Sequence, residues 1–161
     1  MAKIERKQMA HFIDGSLTGT PAYVRLGQDL EEFNVDMNAE FESKKNILGE
    51  SSTQMKGYDP QSSVKPYYCN EDDGIFEKLQ KIIDERATGD ACNTTVLEVH
   101  LWDEAETTGV FVAYRENATI VVQNYGGDTG GYQHEFDIKY NGGRVKGTFN
   151  LATKVFTPDA A

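Results

Sequence analysis

The chain is poor in the residues that most reactive or nucleic-acid-binding sites require. Its 161 residues include only two cysteines, three histidines and one tryptophan, and 16 bases stand against 26 acids. The net charge of −10 is opposite to the basic surface with which proteins displace counterions from DNA, so we expect no non-specific nucleic-acid binding. No apolar run approaches the roughly 18 residues of a membrane span, and we expect no membrane partner.

The first residues, MAKIERKQMAHFID, are basic, but no apolar stretch follows them. This pattern is not typical of a secretory signal, which needs an apolar segment behind its positive charges. We therefore expect Cys69 and Cys92 to be reduced thiols in a protein made and kept in the cytoplasm.

No catalytic or metal-binding motif withstands inspection. Gly127-Asp128-Thr129-Gly130-Gly131 resembles the segment around a serine-protease nucleophile, but threonine replaces the serine and the chain is too short for two barrels. His11, His100 and His134 lie far apart in the sequence, without the close spacing of zinc ligands. We expect no enzyme, cofactor or metal, although a small hydrolase with paired carboxylates stays open as an alternative.

One segment has helical periodicity. From Gly74 to Arg86, the spacing of Ile75, Leu79, Ile82 and Ile83 predicts an amphipathic helix over 74–86 that packs on an apolar surface. Asp72 and Asp73 are placed to cap its start, and Gly89 to end it. The polar face is predicted to carry five charged residues: Glu77, Lys78, Lys81, Asp84 and Glu85.

Most other segments alternate with period two, which predicts antiparallel strands. Thr94–Trp102, Val110–Tyr114, Thr119–Gln123 and Tyr132–Tyr140 are the clearest of these, with the second and third joined near Glu116-Asn117. Asn141-Gly142 favours a tight hairpin into a last strand, because both residues tolerate positive φ. The prediction is a single, mainly β domain over 1–161: an antiparallel β-sandwich or partial barrel with one flanking helix and a long hairpin loop.

The segment Glu31–Glu42 combines an apolar and an acidic face. Period two places Phe33, Val35, Met37 and Phe41 on the side that packs into the sandwich. The opposite face carries Glu32, Asp36, Glu40 and Glu42 with no base to neutralise it, and Glu135 and Asp137 form a weaker acidic face on a second strand. This acidic face either lines an enclosed surface or meets bulk water.

The polar segment 43–66 interrupts the alternation. It contains Gly49, Gly57, Pro60 and Pro66 but also isolated apolar residues, and it exceeds the two to five residues of an ordinary hairpin loop. We expect it to be disordered in the free chain and ordered by a partner through four anchors: Ile47, Leu48, Met55 and Tyr58.

Several short motifs follow one another between a charged N-terminal arm (1–15) and a C-terminal tail (152–161). They are, in chain order, Asp14-Gly15, Thr20-Pro21-Ala22-Tyr23-Val24-Arg25-Leu26-Gly27, Lys56-Gly57-Tyr58-Asp59-Pro60, Thr88-Gly89-Asp90, Tyr125-Gly126-Gly127, Asn141-Gly142-Gly143-Arg144-Val145-Lys146-Gly147-Thr148 and Phe156-Thr157-Pro158. Their order, over nearly the whole chain, resembles that of the major tail (tail tube) proteins of long-tailed phages of Gram-positive bacteria.

This resemblance implies hexameric rings that stack head-to-tail into a virion tube, through which DNA passes without specific binding. It also implies contacts with a tape measure protein and with tail terminator and distal tail proteins. The segment 43–66 would then join rings, and the six acids would line the lumen. Two alternatives remain: the tube protein of a contractile tail, tail-like bacteriocin or type VI secretion system, and a carbohydrate-binding β-sandwich that uses Trp102, Tyr114, Tyr125 and Tyr132.

Overall fold

The computed structural model describes residues 2–28, 30 and 32–159, and antiparallel β-strands dominate them. The strands are β1 (Met9–Asp14), β2 (Tyr23–Leu26), β3 (Val35–Asp36), β4 (Glu40–Lys45), β5 (Ser51–Gly57), β6 (Gln61–Tyr68), β7 (Asn93–Glu104), β8 (Val110–Asp128), β9 (Gly131–Asn150) and β10 (Val155–Pro158). One α-helix, α1 (Phe76–Glu85), lies between β6 and β7, and short 3-10 turns span Arg6–Gln8 and Gly89–Cys92. The predicted β-sandwich with one flanking helix is confirmed at this level.

Eight strands form one sheet in the order β2-β1-β7-β8-β9-β6-β3, and β10 pairs with the far end of β9. The strands β4 and β5 form a separate two-stranded sheet. Within the described residues β3 covers only Gln61 and Ser62 of β6, so the remaining length of β6 is an open sheet edge.

The two faces of this sheet build two apolar cores. Adjacent residues of a strand point to opposite faces, and Phe12 and Ile13 of β1 accordingly belong to different cores. Core one lies under α1 and includes Ile13, Phe136 and Ile138. In core two the sheet curls so that the Phe149 ring of β9 lies 4.7 Å from that of Phe12 and 6.2 Å from that of Tyr23 on the edge strand.

The helix packs as its periodicity predicts. Ile75, Leu79, Ile82 and Ile83 are all buried on core one or beside it. Lys78 was expected on the polar face but is buried, and its Nζ donates hydrogen bonds of 3.3 Å to the Asp14 carbonyl and to Thr94 Oγ1. The predicted range 74–86 agrees with the observed helix to within a residue or two, but the caps differ. Ile75 is the N-cap, with its N–H donating to Asp73 Oδ1 (3.3 Å), and the left-handed Arg86 (φ +50°) ends the helix three residues before Gly89.

Asn141-Gly142 does not form the predicted hairpin. The strand β9 runs through it without a break, and β8 likewise runs through Glu116-Asn117. Gly142 (φ +83°) and Gly143 (φ +67°) form a bulge opposite Asn117, where the register of β8 and β9 shifts. Residues with positive φ occur in bulges as well as in turns. The turn between β8 and β9 is formed instead by Thr129 and Gly130.

Three further segments differ from their predicted structure. The arm 1–15 contains β1, an inner strand of the sheet with a buried centre. The segment Glu31–Glu42 is not one strand, because Asn38 turns the chain with φ +45° between β3 and β4, and Glu31 lies outside the described residues. Segment 43–66 is regular: it holds most of the β4–β5 hairpin and the first part of β6. By contrast, the tail 152–161 follows β9 and includes β10.

Candidate assembly surface

The β4–β5 hairpin projects from the domain and is exposed along nearly its whole length. Its strands pair with each other from Glu40 to Lys45, and no strand of the large sheet pairs with them in the described chain. Its base is fixed by two hydrogen bonds, from Asp59 N to Met37 O (3.1 Å) and from Asn38 Nδ2 to Asp59 O (2.9 Å). The hairpin is therefore an arm with a rigid base and no core of its own.

The tip of this arm is an ordered turn that presents two apolar side chains. The Asn46 side-chain oxygen accepts hydrogen bonds from Leu48 N (2.9 Å) and Glu50 N (3.0 Å). Gly49 supplies the left-handed residue with φ +79°. Ile47 is fully exposed and Leu48 is 76% exposed, so the turn holds both in water.

The four predicted anchors lie on the hairpin but not in one cluster. Ile47 and Leu48 form the tip, Met55 lies on β5 opposite Phe41 of β4, and Tyr58 follows the base. All four are exposed, as an anchor for another molecule must be. Phe41 and Met37 were expected inside the sandwich but are 66% and 48% exposed. The turn at Asn38 carries Phe41 onto the arm, whereas Met37 precedes that turn and lies at the base of the hairpin.

The structure divides the six acids among three regions: the segment before β3, the hairpin, and one face of the large sheet. Glu32 precedes β3 and accepts a hydrogen bond from Asn34, whereas Glu40 and Glu42 belong to the hairpin. Glu42 is neutralised by Lys56 at 2.8 Å and by Lys44 at 3.4 Å, so the expectation of an acidic face without bases was wrong. Lys56 reaches Glu42 from the paired strand β5, and Lys44 lies on β4 itself, just beyond the segment in which the acidic face was predicted.

Asp36, Glu135 and Asp137 share the face of the sheet opposite α1. Asp36 pairs with Gln61, which pairs with Lys139, and strand alternation places Glu135 and Asp137 on the same side as Lys139. Asp137 also accepts hydrogen bonds from Ser63 Oγ (2.8 Å) and Gln123 Nε2 (3.1 Å). This helix-free face, defined by Asp36, Glu135 and Asp137, is thus polar and acidic with Lys139 among its acids.

An open pocket of about 860 Å³ lies at the base of the hairpin, on the side of the sheet opposite the helix-free face. Its walls are largely apolar and include Met9, Phe33, Val35, Met37 and Tyr58. No single segment contributes the walls, since they come from β1, β3, the hairpin base and strands β7 to β9. We call this the base pocket.

A charged triad forms the floor of the base pocket. Arg144 of β9 donates from Nη2 to Glu98 Oε2 (2.9 Å) and from Nη1 to Glu116 Oε1 (3.0 Å). Both carboxylate side chains are nearly nine-tenths buried, and the guanidinium lies 4.6 Å from the Tyr114 ring centroid. Two carboxylates thus share one guanidinium, and the triad carries a net negative charge.

His11 closes the base pocket beside this triad. Its ring is buried, packs 4.6 Å from the Phe33 ring and lies in register with Glu98. Burial lowers the pKa of His11 to about 4, while the nearby Glu98 charge opposes that shift and Arg6 and Arg25 add to it. At neutral pH the imidazole is therefore uncharged.

The buried His11 predicts acid sensitivity. Because its folded pKa lies below the usual 6.5, the unfolded chain binds the proton first, and stability falls as the pH drops from about 6.5 to 4. Between pH 7 and pH 4, the free energy of unfolding of the native chain should fall by roughly 3 kcal/mol more than that of His11→Gln. Urea unfolding of both proteins at the two pH values measures the difference. His134, whose pKa burial also lowers, is present in both proteins and cancels. Parallel pH profiles for the two proteins would contradict this assignment.

The four aromatic residues of the carbohydrate hypothesis do not form one platform. Trp102 stacks on His100 at 4.5 Å, and His100 lies 5.3 Å from Tyr114. Tyr125 lies eleven residues further along β8, which corresponds to roughly 35 Å of extended strand. Tyr132 pairs near it across the turn, in contact with His134.

The described residues contain no group of three or more His, Cys, Asp or Glu side chains placed to hold a metal ion. Both cysteines are free thiols, with Cys92 buried. In the part of the chain that the structure covers, no helix has the length and apolarity of a membrane span. In a comparison with known proteins, no family model and no curated protein matches the chain.

Proposed function

We propose that this chain is the major subunit of a phage tail tube. Copies assemble as hexameric rings, and the rings stack head-to-tail into a conduit through which DNA leaves the virion. The chain acts without catalysis or cofactor, and its partners are other copies of itself, the tape measure protein inside the tube and the terminator and distal tail proteins at its ends.

The projecting β4–β5 hairpin is the observation that carries this proposal. The arm holds two adjacent apolar side chains, Ile47 and Leu48, in water at an ordered tip, and contiguous exposed apolar surface is typical of contact with another molecule. The open edge of β6 supports the same conclusion, since pairing between neighbouring subunits around a ring removes an edge that otherwise invites aggregation.

The helix-free face suits the inner wall of such a tube. With α1 on the outside, Asp36, Glu135 and Asp137 of every subunit face the axis, and repetition around the ring multiplies their charge. A negative wall repels phosphates, so that DNA slides without binding.

Electron microscopy of the purified chain tests the proposal. Concentrated protein, examined by negative stain, should form hollow tubes of uniform width whose end-on views show six-fold rings. A folded chain that stays monomeric at every concentration, while binding glycans on an array, would overturn the proposal in favour of a carbohydrate-binding module. The tube of a contractile tail or secretion system would instead be recognised by a sheath or effector that copurifies from the native source.

Charge reversal on the helix-free face should change how the tube treats DNA. Asp36→Lys/Glu135→Lys tubes should form normally but retain DNA fragments at low salt and release them as salt rises, as phosphate contacts require. The matched control is Glu77→Lys/Glu85→Lys, which makes the same charge change on the exposed side of α1. Equal DNA retention by both variants would place the helix-free face away from the lumen.

A further inference from the structure

We propose that the base pocket is the seat for the hairpin tip of a second copy of this chain, with Ile47 and Leu48 inserted between its apolar walls. This inference rests on the proposed function and names both halves of the contact between successive rings. The hairpin tip is defined here as residues 45–49, and the base pocket as the cavity walled by Met9, Phe33, Val35, Met37 and Tyr58.

The tip cannot enter the pocket of its own chain. The strand β4 has six residues, which span roughly 20 Å, and its paired strand β5 prevents it from folding back. Met37 and Tyr58, at the base of the hairpin, belong to the pocket itself. Tip and pocket therefore lie at opposite ends of the same arm, and only another molecule can bring them together.

The shapes and chemistry of the two sites correspond. The cavity of about 860 Å³ is within the range that holds a compact ligand, and its walls offer methionine, valine and aromatic surface to two aliphatic side chains. The hydrogen bonds from Leu48 N and Glu50 N to the Asn46 side chain already order the turn. Such preorganisation lowers the entropy lost on binding.

Charge adds direction to this contact. In the described chain, Lys45 beside the tip takes part in no ion pair. On the pocket floor, the Glu98–Arg144–Glu116 triad has a net negative charge. Arg6 at the rim is occupied by hydrogen bonds to the carbonyls of Met9 and Phe33. Those carbonyls are neutral and leave the Arg6 charge in place, so a lysine that arrives with the tip is attracted by the two carboxylates of the floor and repelled from the rim at Arg6.

This arrangement produces an open series of contacts. Each chain has one tip and one pocket on different parts of its surface, so the contact is heterologous. Because tip and pocket lie at the two ends of the arm, each added copy is shifted along the direction of that arm relative to the copy before it. The contact therefore repeats from copy to copy and builds a filament.

Disulfide trapping between two differently tagged chains tests the contact. Ile47→Cys and Met37→Cys chains are mixed into tubes with an excess of native chain, oxidised mildly and separated on a non-reducing gel. Met37 lines the pocket and is half exposed, so its replacement leaves both cores intact. The native thiols react little, because Cys92 is buried and burial raises the pKa of Cys69 to about 11.

The expected product is a dimer that contains one chain of each kind, at least tenfold more abundant than with Val155→Cys in place of Met37→Cys. Val155 is equally exposed but lies on β10, outside the pocket. Equal yields from the two pairs, or no mixed dimer, would overturn the tip-to-pocket contact while the tubes themselves still support the proposed function. A native chain that forms no tubes would overturn both.

Discussion

Replacement of the two tip residues by aspartate, Ile47→Asp/Leu48→Asp, should prevent tube growth at the concentrations at which the native chain assembles and leave the monomer intact. Both side chains are exposed, so the free energy of unfolding should change by less than about 0.5 kcal/mol per site. In a stacked ring, burial of each native side chain, Ile47 or Leu48, would stabilise the contact by roughly 1.5–3 kcal/mol. Loss of both should raise the protein concentration needed for tubes at least ~100-fold.

Sedimentation of tubes across a concentration series, with a thermal melt of the monomer, measures both effects. The matched control is Ile4→Asp/Leu17→Asp, which makes the same chemical change at two exposed apolar residues outside the hairpin. Tubes should form at native concentration in the control. If tip variant and control assembled alike, the arm would not be the stacking element.

A second large effect is expected inside the domain. Leu79 is fully buried where α1 meets core one, so Leu79→Ala should lower the free energy of unfolding by about 2–5 kcal/mol through lost burial and a residual cavity. Urea unfolding of the monomer measures it. Glu77→Ala, on the exposed side of the same helix, is the control and should change stability by less than about 0.5 kcal/mol. An unchanged midpoint in Leu79→Ala would contradict the packing of α1 on the sheet.

The helix and the inner strands were predictable because burial on one side leaves a periodic pattern. Ile75, Leu79 and Ile83 repeat at helical spacing, and Phe136, Ile138 and Tyr140 alternate along β9. These patterns come from local geometry alone. They identify elements and faces without knowledge of which strands are neighbours.

A long hairpin loop was predicted, but its two ordered strands were not, because they have no buried side. The strands β4 and β5 are exposed on both faces except at Glu42 and Gly57, so alternation of apolar and polar residues has no physical cause there. The polar segment therefore resembled a disordered loop. Cross-strand pairing and the Asn46 turn order it instead.

The base pocket could not be predicted either, since its parts meet only through long-range pairing. Glu98, Glu116 and Arg144 come from three strands, and His11 from a fourth that was expected to be an arm. In the sequence, each of these residues is recognisable only as a charged residue or a histidine within an apolar strand, which does not show that the four lie together. Asn141, Gly142 and Gly143 at the bulge misled in the opposite direction, because a turn and a bulge require the same backbone freedom.

The unbroken length of β8 and β9 has a consequence for how the domain unfolds. These strands of 19 and 20 residues enter core one at one end and core two at the other. Neither core can open without breaking the hydrogen-bond ladder on which the other is built. Amide protons in both cores should consequently exchange with deuterium at one common slow rate, whereas those of the β4–β5 arm exchange quickly until a neighbouring molecule covers them.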